Sequence, residues 1–286
     1  MKALAATIAV SALGVLAISG GALASGNPDI AALQVGLLHR GLYAGTVDGV
    51  LGPGTETAVR RFQRRSGLAA DGVAGPRTRR ALGRFGRRSP LGARQLAAGA
   101  RGWDVAALQF ALAWHGFPSG TFDGFLGSHT DAALRSFQRW AGITPDGHAG
   151  PATYRALRQP PPRSPVRLAR PLSAPIGDRF GPRGSRFHEG VDFPAPTGTP
   201  VAAAGSGRVV FAGPSGSGWG TLVVLSHGNG IRTRYAHLSQ VMVRVGQQIS
   251  TGATIGLVGA TGEATGPHLH FEVLLRGANV DPLSAL

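Results

Sequence analysis

No cysteine occurs in the 286 residues, and Lys2 is the sole lysine. Without cysteine the chain can hold neither a disulfide framework nor a lipid-modified cysteine anchor, so its stability rests on packing and on any metal its other ligands can bind. Acidic residues are scarce too: 14 Asp and Glu face 29 Lys and Arg, a formal net charge of +15. Charged residues make up 15% and apolar ones 43%, which excludes wholesale disorder, while 45 Gly and 20 Pro exclude a protein that is helical throughout. Long apolar runs are missing after residue 24, so no later segment reads as membrane-spanning and no stable membrane anchor is expected.

Before residue 24 there is one such run, from Ala3 to Gly21, preceded by Met1-Lys2 and followed by Ala22-Leu23-Ala24. Small residues in that position are what a signal peptidase reads, so residues 1–24 are expected to be a removed signal peptide and the mature chain to be secreted to the cell wall. An uncleaved anchor would explain the apolar length but leave the Ala-Leu-Ala site idle. Arginines recur from Arg60, Arg61, Arg64 and Arg65 through Arg77, Arg79, Arg80, Arg84, Arg87, Arg88 and Arg94 to Arg101, a stripe that attracts polyanions. Export argues against nucleic acid and leaves anionic wall polymers as the accessible partner, with a merely solvated face as the plain alternative.

Ile30–Leu82 superimposes on Val105–Leu157 at a shift of 75 residues without a gap, and roughly half the positions are identical, the signature of a duplicated unit. Leu33-Gln34 recurs as Leu108-Gln109, Leu37 as Leu112, Gly41 as Gly116, Asp48-Gly49 as Asp123-Gly124, Phe62-Gln63 as Phe137-Gln138, and Asp71-Gly72 as Asp146-Gly147. Leu33 and Leu37, then Ala58, Val59 and Phe62, fall on single helical faces, and Pro53 and Pro76 stand where a helix starts and a missing N–H costs least. Each copy is thus expected to be a bundle of three short helices. His39, His115, His129 and His148 are not shared between the copies and receive no role. The ordered pattern resembles the small three-helix peptidoglycan-binding domain of wall hydrolases, which implies that residues 28–84 and 101–158 bind peptidoglycan. Two modest modules on one chain would raise the effective concentration at an immobile polymer. Residues 159–171, with Pro160-Pro161-Pro162, Pro165 and several Arg, read as a stiff linker.

From residue 172 to 286 the texture is β-rich: Arg208–Phe211, Leu222–Leu225 and Phe271–Leu275 are separated by Gly-rich turns, an antiparallel β domain. Five of the nine histidines lie here. In His268-Leu269-His270-Phe271-Glu272 the alternation of a strand puts His268, His270 and Glu272 on one face and Leu269 and Phe271 on the other. His188-Glu189-Gly190-Val191-Asp192 is expected on a loop running into a strand, since Gly190, Val191 and Pro194 oppose a helix. Two neutral imidazoles and one carboxylate suit zinc, and three protein ligands leave a fourth position for water, as a catalytic site requires.

These elements, with Tyr235-Ala236-His237-Leu238, Arg179–Arg183, Gly198–Val201 and Thr265-Gly266-Pro267, resemble the lysostaphin or LytM-type zinc endopeptidases of peptidoglycan. The resemblance implies one Zn2+ per chain held by His188, Asp192 and His270, with His237 and His268 acting on water and substrate. It implies hydrolysis of an amide bond in the stem peptides or cross-bridges, and does not say which bond. His268 is assigned as proton acceptor and His237 as the group that orients the tetrahedral species, the reverse division being equally compatible. Glu189 adjoins a ligand on the wrong side of the chain for a general base, Glu272 reads as a partner of a ligand or a strand-surface charge, His227 as structural, and Arg183 as able to meet a substrate carboxylate or, equally well, as simply solvent-exposed. The expected fold class is multidomain α + β: two small three-helix bundles followed by a mostly antiparallel β metallopeptidase domain, monomeric by default. Three rivals remain: a binding-only activator of another hydrolase, a polyanion-binding wall protein, and a secreted peptidase of ordinary proteins. Members of the family this chain resembles can hold the zinc closed with an Asn from a preceding segment, but the only Asn residues here are Asn27, Asn229 and Asn279, so no linker Asn serves and latency by another route stays open.

Overall fold

The computed structural model describes residues 26–83 and 91–286; the expected signal peptide and Arg84, Arg87 and Arg88 lie outside the described residues. The first repeat forms α1 (Pro28–Leu38), α2 (Pro53–Arg65) and α3 (Pro76–Ala81), the second α4 (Trp103–Trp114), α5 (Ser128–Trp140) and α6 (Pro151–Leu157). Proline opens α1, α2, α3 and α6, and the Asn27 side chain caps α1 by accepting from the amides of Asp29 and Ile30 at 2.8 and 3.3 Å.

The recurring Gln and Asp-Gly positions turn out to be one device used four times. Gln138 donates to Asp146 Oδ1 (2.8 Å), to the His148 carbonyl (3.1 Å) and to Thr153 Oγ1 (3.2 Å), while its own carbonyl accepts from Gly147 N (3.0 Å). Gln34, Gln63 and Gln109 bind the matching Asp, Gly and Thr in the same way. A single buried carboxamide therefore ties one helix to the turn and first residues of the next. Replacing Gln138 by Leu would strand several polar groups at once and should cost about 2–3 kcal/mol. Calorimetry would show this as a lower unfolding temperature of the helical region, and an unshifted transition would refute the clamp.

The repeats are not separate beads. α1 and α4 are apolar on nearly all sides because they pack on each other, and one core joins Leu33, Leu37, Trp103 and Phe110 with Phe180 and Phe187 from the β domain. Phe180 precedes β1 (Gly181–Arg183) and Phe187 lies within β2 (Arg186–His188) of one hairpin, and Trp114 meets the two rings edge-on at 6.3 and 5.3 Å. Equivalent positions of the two repeats clasp the hairpin turn: Val47 N donates to the Gly184 carbonyl and Phe122 N to that of Ser185, both at 2.8 Å. Residues 159–171 run along the β domain, with Leu168 N bonded to Ala285 O and Ala169 N to Ala204 O, each at 2.8 Å.

Beyond the hairpin lie β3 (Val191–Pro194), β4 (Pro200–Ala202), β5 (Gly207–Pro214), β6 (Thr221–Gly228), β7 (Ile231–Ala236), β8 (Leu238–Val241), β9 (Gln248–Ile249), β10 (Thr254–Val258), β11 (His268–Leu275) and β12 (Ala278–Val280). All pairings are antiparallel. The main sheet runs β12-β11-β7-β6-β5-β9, with β3 joining the β12 edge of β11, and β4-β10-β8 forms a second sheet. Val191, Phe193, Val223, Leu225, Tyr235, Leu269 and Phe271 fill the space between them. The α + β class, helices first and antiparallel β after, is as the sequence implies.

Candidate metal centre

β11 is buried on both faces, and its side chains alternate between them. Leu269 and Phe271 are wholly in the core, and His268, His270 and Glu272 take the other face. Residues directly opposite in an antiparallel ladder share a face, and Asp192 of β3 stands opposite His270. The same register sets Ala236 of β7 opposite His270 on the other side, which delivers His237 just past the strand end. His188 ends β2, so both members of the His188–Asp192 pair lie on strands rather than only the second.

Three donor atoms converge. His188 Nε2 is 3.1 Å from His270 Nδ1, His270 Nδ1 is 2.9 Å from Asp192 Oδ1, and His188 Nε2 is 3.2 Å from the same oxygen. The outer nitrogens fix the tautomers: His188 Nδ1–H donates to the Arg179 carbonyl (2.9 Å) and His270 Nε2–H to Glu272 Oε1 (3.1 Å). In neutral rings the two inner nitrogens are then bare lone pairs facing a carboxylate oxygen, an arrangement that repels itself unless a cation sits among them. In the absence of an ion the cation is a proton. Burial works to lower the His270 pKa, but the carboxylates of Asp192 and Glu272 outweigh it and push it up to about 9. Burial likewise disfavours the Asp192 carboxylate, yet hydrogen bonds from His188 and His270 hold it well below the usual range. The nitrogen and oxygen donor set fits a zinc ion replacing that proton.

Two further imidazoles stand beside the triad. The His237 ring lies 4.7 Å from that of His268 and 5.8 Å from that of His270. His237 adopts φ +61, a left-handed conformation costing a non-glycine residue about 1–2 kcal/mol, and is held there by its amide bond to Trp219 O (2.9 Å). Its Nδ1–H donates to the Thr261 carbonyl (2.7 Å), and His268 Nδ1–H to that of Gly266 (2.9 Å), so both rings keep Nε2 as the available base. All five expected residues thus meet in one groove of about 560 Å³, with Arg183 on its rim 2.7 Å from Asp178 and 4.0 Å from Asp192.

Glu272 is no surface charge. It is fully buried and accepts from His270, from Trp219 Nε1 (2.7 Å), from Arg234 (2.9 Å) and from Asn279 Nδ2 (3.2 Å), and its pKa is lowered because these donors outweigh its burial. Trp219, Arg234 and Asn279 escaped the sequence reading. Arg234 faces Glu272 only through the β7–β11 register, and Asn279 through the β12 return, neither of which local patterning discloses. Glu189 is pushed up to about 7 by burial and by Glu272, and its carboxylate is bound by Asn279 at 3.2 Å. His227 bridges the Ser206 carbonyl and Thr233 Oγ1, a structural post.

Residues 186–282 match peptidase family M23. This chain carries an M23 peptidase domain. Residues 26–82 and 101–157 each match the peptidoglycan binding domain, so two such domains precede the M23 domain. The DD-carboxypeptidase/endopeptidase Mpg of Neisseria meningitidis serogroup B is 44% identical over 115 residues, 40% of this chain and 26% of that protein. The peptidoglycan DD-endopeptidase ShyA of Vibrio cholerae serotype O1 is 45% identical over 111 residues, 39% of this chain and 24% of that one. The matched part is therefore about a quarter of these relatives' length. The catalytic domain of lysostaphin from Staphylococcus simulans shares 38% identity over 38% of this chain and 90% of its own, at a TM-score of 0.36.

Proposed function

We propose that the protein is a zinc endopeptidase that hydrolyses amide bonds in the stem peptides or cross-bridges of peptidoglycan, is secreted to the wall, and is held there by its two repeats. The observation that carries the reading is the set of three inward-facing donors flanked by two imidazoles whose Nδ1 atoms are tied to carbonyls, with His268 Nε2 turned toward Asp192 Oδ1 at 3.7 Å. His188, Asp192 and His270 would hold the ion. When bound, zinc supplies Lewis-acid polarisation of a carbonyl and acidifies water. His268 takes the proton from the attacking water at Nε2 and returns it to the leaving amine, and His237 orients the tetrahedral species. Glu272 keeps His270 turned with Nδ1 inward.

His268→Ala and His237→Ala should each leave zinc near one per chain and lower kcat by about 100- to 10,000-fold. Zinc loss in either variant would move that residue into the ligand set. Burial lowers the His237 pKa although the Thr261 carbonyl opposes the shift. Its ring resonances should then titrate below the ordinary value of about 6.5 in the metal-free protein, and a midpoint above 7 would contradict a ring held neutral by its burial. The test of the whole reading is incubation of the chain from Ser25 onward, loaded with one equivalent of zinc, with peptidoglycans of different cross-link chemistry. New peptide termini found by mass spectrometry support it and name the bond; intact polymer overturns it.

A further inference from the structure

The same groove occurs in both repeats, but the β domain walls only one of the two. In the first repeat it is lined by Leu42, Ala44, Pro53, Gly54 and Arg61 and measures about 400 Å³. The positions 75 residues later, Phe117, Ser119, Ser128, His129 and Ser136, line a groove of about 1140 Å³, because Arg186, Glu189 and Arg276 of the β domain close its far side. Between the copies, four groove positions change from Ala, Pro, Gly and Arg to three hydroxyls and an imidazole, while Tyr43 and Thr57 give way to Pro118 and Ala132. Among the described residues Ser119 Oγ is buried in this groove without a hydrogen-bond partner, and Ser119 as a whole is 8% exposed.

Both walls are fixed. Asn279 N donates to the Gly116 carbonyl at 3.1 Å, Trp140 Nε1 donates to that of Leu275 at 3.2 Å, and the Arg276 guanidinium lies 5.4 Å from the Trp140 ring centre. Gly116, at φ +86, approaches so closely that a Cβ would fall 2.3 Å from the Asn279 oxygen. Glu189 lines this groove and the metal groove alike, so the two adjoin at the residue next to His188.

We propose that this composite groove is a second substrate site, which binds a carboxylate-bearing stem peptide of the same peptidoglycan whose neighbouring peptide enters the metal groove. The proposal rests on the peptidase reading above and adds a subsite shared between a repeat and the catalytic domain. Arg139, Arg186 and Arg276 present three guanidiniums. The two carboxylates of the groove are already engaged, Asp123 by Gln109 and the Phe125 amide and Glu189 by Asn279. Phe117 and Trp140 offer apolar floor for methyl groups, Ser128 offers a partner for peptide N–H or C=O, and Ser136 Oγ, which accepts from Arg139 at 3.1 Å, keeps its own O–H to donate. A short acidic peptide satisfies all three, and a rigid site beside the scissile bond aligns the polymer as well as retaining it.

Two variants of the full zinc-loaded chain test this: Ser119→Trp, which fills the groove, and the exposed double change Arg139→Glu with Arg186→Glu, which reverses its charge without touching a core. Retention is read on peptidoglycan stripped of accessory anionic polymers, and hydrolysis on a short soluble peptide that reaches the metal groove alone. Both variants should lose about tenfold in affinity for the polymer and leave kcat/KM on the short peptide within about twofold. Unchanged polymer affinity in either variant overturns the proposal. So does an equal loss from Arg64→Glu, the counterpart of Arg139 in the first repeat, since that would reduce the effect to bulk charge. Retention that requires the anionic polymers would overturn it as well. Should the parent cleave neither substrate, the peptidase reading fails while the retention arm still decides the groove.

Discussion

A His270→Ala chain is expected to bind no zinc after dialysis and to release no new termini from peptidoglycan. His270 is the hub of the site, since its Nδ1 touches both other donors and its Nε2 is anchored on Glu272. Without an ion the attacking water keeps the high pKa of bulk water, far above anything a neutral imidazole can deprotonate. The same substitution has a second, pH-dependent signature in the metal-free protein. His270 titrates at about 9 in the folded state, above an unfolded value of about 6.5, so its charged ring stabilises the fold fully below pH 6.5. That contribution drains away as pH rises to about 9. The stability difference between metal-free parent and variant should therefore narrow across this window, and denaturant titrations at pH 6 and pH 9.5 would measure it. A gap that widens with pH, or zinc retained near one per chain, would remove His270 from the centre of the site.

Glu272→Leu is expected to damage both the fold and the metal affinity, although Glu272 itself offers no donor atom to the ion. The substitution strands Arg234, whose side chain is 26% exposed, and leaves Trp219 Nε1 without its acceptor, while Asn279 Nδ2 keeps only its bonds to Glu189. Breaking a buried ion pair costs about 3–5 kcal/mol, and the partial exposure of Arg234 places this one near the lower end. Loss of the carboxylate that orients a metal-binding imidazole typically weakens the ion about 10- to 100-fold. Competition for zinc against a chromophoric chelator, run beside denaturant unfolding of the zinc-free chain, separates the two effects. Unaltered affinity would show that His270 holds its rotamer by packing alone.

Each of these effects depends on contacts that patterning could reach only in part. Alternation along His268–Glu272 foretold which residues face the groove, because a strand has a strict two-residue period. Pro53 and Pro76 marked helix starts because their missing N–H is tolerated nowhere else so cheaply. The repeated Gln, Asp-Gly and Thr were visible as anchors, but not as one hydrogen-bond clamp, since the carboxamide spans residues 8 to 21 positions away. Arg234 and Asn279 gave no local sign at all.

By itself the sequence determined the class of each region, the duplication and the residue types able to hold an ion, all of which follow from local periodicity, turn chemistry and donor character. Only the tertiary structure decided what faces what. Register placed Asp192 opposite His270, strand ends carried His188 and His237 to the same point, and the packing of α1 on α4 and of Trp114 on the β1–β2 hairpin joined the second repeat to the metal groove. Those choices belong to pairings between residues distant in the chain, whose energies are settled by burial and hydrogen bonding across elements and leave no trace in the spacing along any one of them.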